Sequence, residues 1–259
     1  MSGAFAAGER VLLIDGKDRR YLVTLREGGE FHTHAGITSH AAIIGQPQGL
    51  TVRSGTGARY LVVRPTLADF VLAMPRGAQV IYPKDLGALL VAGDIFAGAR
   101  VLEAGVGSGA LSLALLRAGA EVVGYEIRDD FAAKARSNVE SFLGPDLAYR
   151  VEGRDIYRGI TERGLDRVML DLPEPWQVIG HAQQALHPGG ILVSYLPTIG
   201  QVAQLREALD ASAFGLARTI EVLERSWHVQ GQSVRPDHRM VAHTGFLTSA
   251  RLLGTEHQQ

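Results

Sequence analysis

From about residue 100 onward the chain alternates short apolar runs with longer amphipathic stretches. Arg100–Glu103, Glu121–Glu126, Leu147–Glu152, Arg167–Leu170 and Ile191–Tyr195 predict buried strands, and Gly109–Ala118, Asp129–Leu143, Pro175–Leu186 and Ile199–Ala211 predict the helices between them. Such alternation implies βαβ units and a doubly wound, mostly parallel sheet. The pattern then changes. Arg218–Glu224 and Thr244–Leu253 read as strands with no helix between them, which predicts an antiparallel pair at one sheet edge, joined by the polar stretch Ser226–Ala242.

The first 65 residues follow a different period. Arg10–Asp15, Arg20–Leu25, Leu50–Arg53 and Tyr60–Arg64 alternate apolar with polar positions, and Asp15-Gly16, Gly28-Gly29 and Gly55-Thr-Gly57 are turn signals between them. The expected organisation is a small, barrel-like β-domain over residues 1–65 followed by one α/β domain over residues 66–259. Thr66–Met74 predicts a helix, and a second is expected to start at Asp85 as its N-cap.

Composition narrows the chemistry. With 259 residues, 46% of them hydrophobic, the chain can bury a full core. The absence of any apolar run long enough for a membrane span, or of a signal core, makes a cytoplasmic protein the expectation. Having no cysteine removes disulfides, thiolate metal sites and a thiol nucleophile; the nine histidines lack metal-ligand spacing, so no metal is expected. Net charge is −1, yet residues 1–86 carry ten Lys/Arg against seven Asp/Glu while residues 87–217 carry eleven against sixteen. A polyanion, if one binds, is expected to be held by the flanking regions or by several subunits presenting their basic faces together.

That acidic segment holds the candidate site. Val101-Leu-Glu103-Ala-Gly105-Val-Gly107-Ser108-Gly109-Ala110 is an apolar strand running into a glycine-rich turn and a helix, and Glu126 follows twenty-one residues after Gly105. This is the pattern of a nucleotide-type cofactor loop with its ribose carboxylate. Glu103, Glu126, Asp155 and Asp171 all fall at or near the carboxyl ends of predicted strands. They would repel a pyrophosphate and attract a sulfonium cation; at ~4 Å one such pair is worth about 1 kcal/mol in water and about 4 kcal/mol at an intermediate dielectric. S-adenosylmethionine thus fits better than a nicotinamide dinucleotide.

A second motif, Asp171-Leu-Pro173-Glu-Pro175-Trp176, puts a carboxylate at the sheet edge on a backbone stiffened by two prolines. Such a lip suits a planar, amine-bearing substrate, because a carboxylate accepts hydrogen bonds from an exocyclic amine and offsets charge on an alkylated ring. Asp171 is the catalytic candidate; the plainer reading makes it the N-cap of the next helix.

Gln79-Val-Ile-Tyr82-Pro83-Lys84-Asp85, the glycine loop, Gly153-Arg154-Asp155, the Asp171–Trp176 motif, Ser194-Tyr195-Leu-Pro197 and the tail Arg235-Pro-x-His-Arg239-Met-Val-Ala-His243-Thr-Gly245-Phe together resemble the bacterial and archaeal tRNA (adenine-58-N1)-methyltransferase family across nearly the whole chain. The resemblance implies a Rossmann-like class I methyltransferase sheet, S-adenosylmethionine as cofactor, tRNA as partner and a homotetramer. It implies that Gly105, Gly107, Ser108, Gly109 and Ala110 surround the cofactor's methionine part, that Glu126 binds its ribose and Asp155 its adenine, with Gln79 and Glu103 completing the cofactor set. Asp171 would sit beside methyl donor and target base, and Tyr82 and Tyr195 would face that base. Two positions depart from the pattern: Ala78 where Thr is frequent, and Phe131 where relatives carry a basic residue.

Three other functions remain open on the residues alone. A methyltransferase for a small molecule or a protein carboxylate shares the glycine loop, a nicotinamide oxidoreductase shares its relaxed form, and a non-catalytic tRNA-binding subunit would keep the fold while losing the loop and Asp171.

Overall fold

A computed structural model describes residues 3–77 and 79–254. The chain divides into two compact units, one ending at Pro75 and taking in Glu140–Phe142, the other formed by Arg76–Val139 and the chain from Leu143 onward.

Six strands build the first unit: β1 (Arg10–Asp15), β2 (Arg20–Thr24), β3 (Glu30–Thr33), β4 (Gly36–Ser39), β5 (Leu50–Arg53) and β6 (Arg59–Val63). Antiparallel pairing gives a sheet in the order β2-β1-β6-β5, with β3 and β4 as a separate hairpin. The expected barrel is therefore an open sheet, since among the described residues β2 and β5 do not pair. The hairpin instead lays Phe31 against Tyr21 and Tyr60, with ring centroids 5.3 and 5.5 Å away, helping to cover a core of Val11, Leu13, Leu25, Ile43, Val52 and Val62. Helix α1 (Leu67–Ala73) follows with a reciprocal cap: Asp69 N donates to Thr66 Oγ1 and Thr66 N donates to Asp69 Oδ2.

From Arg76 onward, α2 (Pro83–Ala92) precedes β7 (Arg100–Ala104), α3 (Ala110–Arg117), β8 (Glu121–Tyr125), α4 (Asp129–Leu143, of which residues 140–142 count with the first unit), β9 (Tyr149–Glu152), β10 (Leu165–Leu170), α5 (Ile179–Ala185), β11 (Leu186–Leu196), α6 (Ile199–Asp210), β12 (Phe214–Glu221), β13 (Trp227–Gln230), β14 (Ser233–Pro236) and β15 (Phe246–Leu252). Seven strands form one sheet in the order β12-β15-β11-β10-β7-β8-β9. Only β15 runs against its neighbours. The central strands carry Val101, Leu102, Val122, Val168, Met169, Leu192 and Val193, all buried, as a parallel sheet covered on both faces requires.

Three expectations need correction and one holds. Helix α2 begins at Pro83, not Asp85: proline's fixed φ suits the first helical position, and the Asp85 carboxylate is drawn into a buried ion pair instead of capping. Pro175–Leu186 is broken into a 3-10 turn over Pro175–Val178 and the shorter α5, and Leu186 already belongs to β11. The antiparallel pair does stand at one edge of the sheet, with β12 outermost and β15 between it and β11. The stretch between β12 and β15 is not plain loop; it holds the hairpin β13–β14, whose sparse apolar content hid it.

Register positions the site. Ser194, Leu170, Ala104, Tyr125 and Glu152 lie in one row across β11, β10, β7, β8 and β9. The residues one step on are Tyr195, Asp171, Gly105, Glu126 and Gly153. The chain builds outward from β7 through β8 and β9, then returns to β10 on the other side, so this row crosses the switch point where open α/β sheets bind ligands.

Candidate functional site

The turn after β7 depends on glycine at its first and last positions. Gly105 has φ +81°, and a Cβ there would lie 2.1 Å from the Asp171 carbonyl oxygen; Asp171 N in turn donates to Ala104 O at 3.0 Å. Gly109, at φ +84°, caps α3 in the left-handed region, and a Cβ there would lie 3.3 Å from Ala135. The loop is thereby clamped between β10 and α4, with the amino end of α3 presented to the ligand edge. Ser108 Oγ is buried and has no hydrogen-bond partner among the described residues.

Glu126 steadies the loop from β8. Its Oε2 accepts from Gly107 N and its Oε1 from Arg128 N, both at 3.0 Å. Glu103 lies one residue short of the β7 end, is fully buried and accepts from Ser112 Oγ at 2.5 Å, while Tyr149 Oη donates to the same hydroxyl at 3.0 Å. Burial pushes its carboxyl up to about 8, and the nearby charges of Asp171 and Glu126 add to the rise. Expected as a cofactor ligand, Glu103 thus hydrogen-bonds beneath the loop to α3. Asp155 caps a 3-10 turn through Tyr157 N at 3.0 Å and lies in a depression with Ile127, Gly153, Arg154, Arg158 and Thr161.

A cleft of about 630 Å³ opens on the other side of the loop. Gln79, Tyr82, Asp171 and Tyr195 all line it, and so does the returning segment Met240–Thr244. Asp171 forms no hydrogen bond or ion pair through its carboxylate among the described residues, and burial alone raises it to about 7. It does not cap a helix. Tyr195, buried at the end of β11, donates to Asp85 Oδ2 at 3.2 Å, and its ring fits only because Gly245 has no side chain: a Cβ there would come within 2.4 Å of it.

Thus the expected set falls into three places. Gln79, Tyr82, Asp171 and Tyr195 share the cleft; Gly105, Gly107, Ser108, Gly109, Ala110, Glu126 and Glu103 form the loop and its supports; Asp155 occupies the depression beyond Glu126. Of the two departures, Ala78 lies outside the described residues. Phe131 is buried with the Arg128 guanidinium stacked 3.8 Å from its ring centre, so a basic group reaches that place from elsewhere.

Sequence reading missed the polar groups behind the cleft. Lys84 Nζ donates to Asp85 Oδ1 at 2.8 Å, Val222 O at 2.6 Å and Thr244 Oγ1 at 2.6 Å. His243 uses both ring nitrogens, with Glu221 Oε1 at 2.7 Å and Pro197 O at 2.8 Å; the carboxylate and carbonyl raise its pKa. The Tyr82–Asp85 and His243–Gly245 motifs were the available signal. Their mutual contacts, across some 160 residues, were not.

Known proteins match this architecture over almost its full length. The family model for the tRNA methyltransferase complex GCD14 subunit matches residues 59–237, and that for the TrmI-like N-terminal region matches residues 3–52. The tRNA (adenine(58)-N(1))-methyltransferase TrmI of Thermus thermophilus is 42% identical over 244 residues, covering 93% of this chain and 96% of the relative. Two crystal structures are similar: a SAM-dependent O-methyltransferase from Thermotoga maritima, with TM-score 0.92, 32% identity and coverage of 97% and 96% of the two chains, and the tRNA (m1A58) methyltransferase TrmI from Aquifex aeolicus, with TM-score 0.85, 30% identity and coverage of 97% and 100%. The glycine loop, the strand order and these matches agree: the chain belongs to the tRNA (adenine-58-N1)-methyltransferase family of class I methyltransferases.

Proposed function

We propose that this enzyme transfers a methyl group from S-adenosylmethionine to N1 of adenine 58 in the T-loop of tRNA. The observation that carries the reading is Asp171, a carboxylate without a protein partner among the described residues, set between the glycine loop and a cleft framed by two tyrosines. Its desolvated charge calls for a cation, and the buried Ser108 hydroxyl, unpartnered among the described residues, fits a cofactor's polar methionine end. Gly105, Gly107, Ser108, Gly109 and Ala110 would hold that end, Glu126 the ribose and Asp155 the adenine. Gln79 and Glu103 would complete the cofactor surroundings, Glu103 by bracing α3.

The bound cofactor supplies an electrophilic methyl group on a positive sulfur. Adenine N1 already has a lone pair, so no residue need form a covalent intermediate. Asp171, once ionised, accepts a hydrogen bond from the adenine N6 amine and stabilises the positive charge that develops on the ring as N1 is alkylated. Tyr82 and Tyr195 hold the base after it leaves its stack, a step that costs a few kcal/mol. Positioning supplies much of the remainder.

Gripping of tRNA falls to basic groups outside the acidic rim. Arg19, Arg20 and Arg64 are paired with Asp15, Asp69 and Glu9. Arg53 and Arg59 instead face each other across β5 and β6, an arrangement of like charges that favours an incoming phosphate backbone. The reading includes a homotetramer, supported by the exposed Trp227, Val229 and Val234 of the β13–β14 hairpin, and a cytoplasmic location, where its substrate is found. The domain division at residue 65 is part of the same proposal.

Incubation with labelled S-adenosylmethionine and unmodified tRNA, followed by mapping of the product, tests this function: label at N1 of adenine 58 is expected, and label at adenine 57 would widen it. The Thermotoga protein's description as an O-methyltransferase favours one rival, methylation of an oxygen acceptor. Label in a carboxylate- or hydroxyl-bearing substrate, and none in tRNA, would replace the proposal. A native mass measurement tests the tetramer.

A further inference from the structure

Between β12 and β15 the chain leaves the sheet for residues 222–245, forms the β13–β14 hairpin, and returns as Met240–Thr244, one wall of the cleft. One ammonium binds both ends of this excursion. Lys84 Nζ donates to Val222 O where the chain departs and to Thr244 Oγ1 where it comes back, each at 2.6 Å. Its third bond goes to Asp85 Oδ1 at 2.8 Å. Thr244 Oγ1 donates onward to Asp85 Oδ2 at 2.6 Å, and Tyr195 Oη donates to that same oxygen at 3.2 Å. Lys84 and Asp85 have side chains 3% and 0% exposed, yet the donors and acceptors named here close into a satisfied network.

We infer that Lys84 and Asp85 are positioning residues for methyl transfer, acting as a clasp that fixes the Met240–Thr244 wall and the Tyr195 ring at the spacing an extruded base requires. The inference rests on the function proposed above. A buried ion pair adds little net stability by comparison with apolar residues of similar volume, so its value lies in the arrangement it enforces. Because the Tyr195 hydroxyl is committed to Asp85, Tyr195 offers the cleft its ring and not a proton. The clasp touches neither Gly105–Ala110 nor Glu126, so cofactor affinity is independent of it, as is the tRNA affinity supplied by phosphate contacts.

Two variants test the clasp in the full-length enzyme. Thr244→Val removes the hydroxyl at constant shape, and the double variant Lys84→Met/Asp85→Asn removes both charges so that neither is left buried alone. With the folded fraction set by calorimetric titration of S-adenosylmethionine, each is expected to lower kcat for tRNA at least tenfold. KM for tRNA and Kd for the cofactor should stay within about threefold, and amide exchange should quicken across residues 240–244. A kcat within twofold of the parent, or unchanged exchange in the wall, would overturn the clasp. If the parent enzyme methylates no tRNA, the proposed function fails, and the exchange measurement still judges the clasp.

Discussion

Two aspartates serve the same cleft, one lining it and one buried behind it, and they are treated in opposite ways. Asp85 is fully buried and has a lysine, a threonine and a tyrosine on its oxygens. Asp171 retains some exposed surface, yet its carboxylate has no protein partner among the described residues, and burial lifts its pKa to about 7. A satisfied charge fixes structure, whereas an unsatisfied one stores an interaction for a ligand. The difference separates the part of the cleft that is built from the part that awaits chemistry.

The contrast breaks first at Asp171 itself. Asp171→Ala is expected to lower tRNA methylation about 100-fold or more without lowering the melting temperature, because this carboxylate supports no neighbour and its burial as an anion costs stability. An initial-rate assay beside a thermal melt checks it; near-normal turnover would assign the chemistry elsewhere.

Gly105→Ala strikes at the loop that brings Asp171 into place. A methyl group 2.1 Å from the Asp171 carbonyl, on a backbone at φ +81°, should cost about 3 kcal/mol and abolish measurable cofactor binding. Denaturant unfolding and calorimetry measure the two effects.

Acidity sharpens the comparison. Asp171 and Glu103 have folded pKa values raised to about 7 and about 8, so the folded protein holds their protons more tightly than the unfolded chain. Their contribution to stability is complete below the ordinary carboxylate range near 4 and is lost as pH rises through 7 and 8. Unliganded enzyme should therefore melt lower at pH 8.5 than at pH 6, more steeply than Asp171→Asn. Affinity for S-adenosylmethionine runs the other way, weakening as pH falls below about 7, while the uncharged S-adenosylhomocysteine responds less. Parallel titrations across pH would expose a wrong assignment through identical slopes for the two ligands.

Tyr195→Phe is expected to have the smallest effect, about 1 kcal/mol of stability and less than about fivefold in rate, since Asp85 keeps its lysine and threonine. A much larger loss of rate would return the hydroxyl to the chemistry.

The parallel part of the fold was legible because its signals are local. The apolar strand at Val101, the glycine turn and the helix after it occupy one continuous stretch, and Asp129–Leu143 is helical over the very residues its periodicity indicated. Asp85 was misread for the opposite reason. As a short polar residue at a helix start it looks like a cap, and only contacts with Thr244 and Tyr195, more than a hundred positions away, reveal its engagement. The hairpins β3–β4 and β13–β14 escaped notice because four-residue strands with few apolar side chains carry almost no periodic signal. Asp171 was picked out from its proline-flanked motif, but its lack of a partner is a property of the assembled cleft.

The slot taken by β15 has a cost for a chain still being made. Strand β11 waits with an unpaired edge while some fifty later residues emerge, and β12 has no ladder to join until Phe246–Leu252 arrives between them. A message cut short before that segment would yield a protein with its glycine loop complete and two raw edges exposed, prone to aggregate rather than to catalyse slowly.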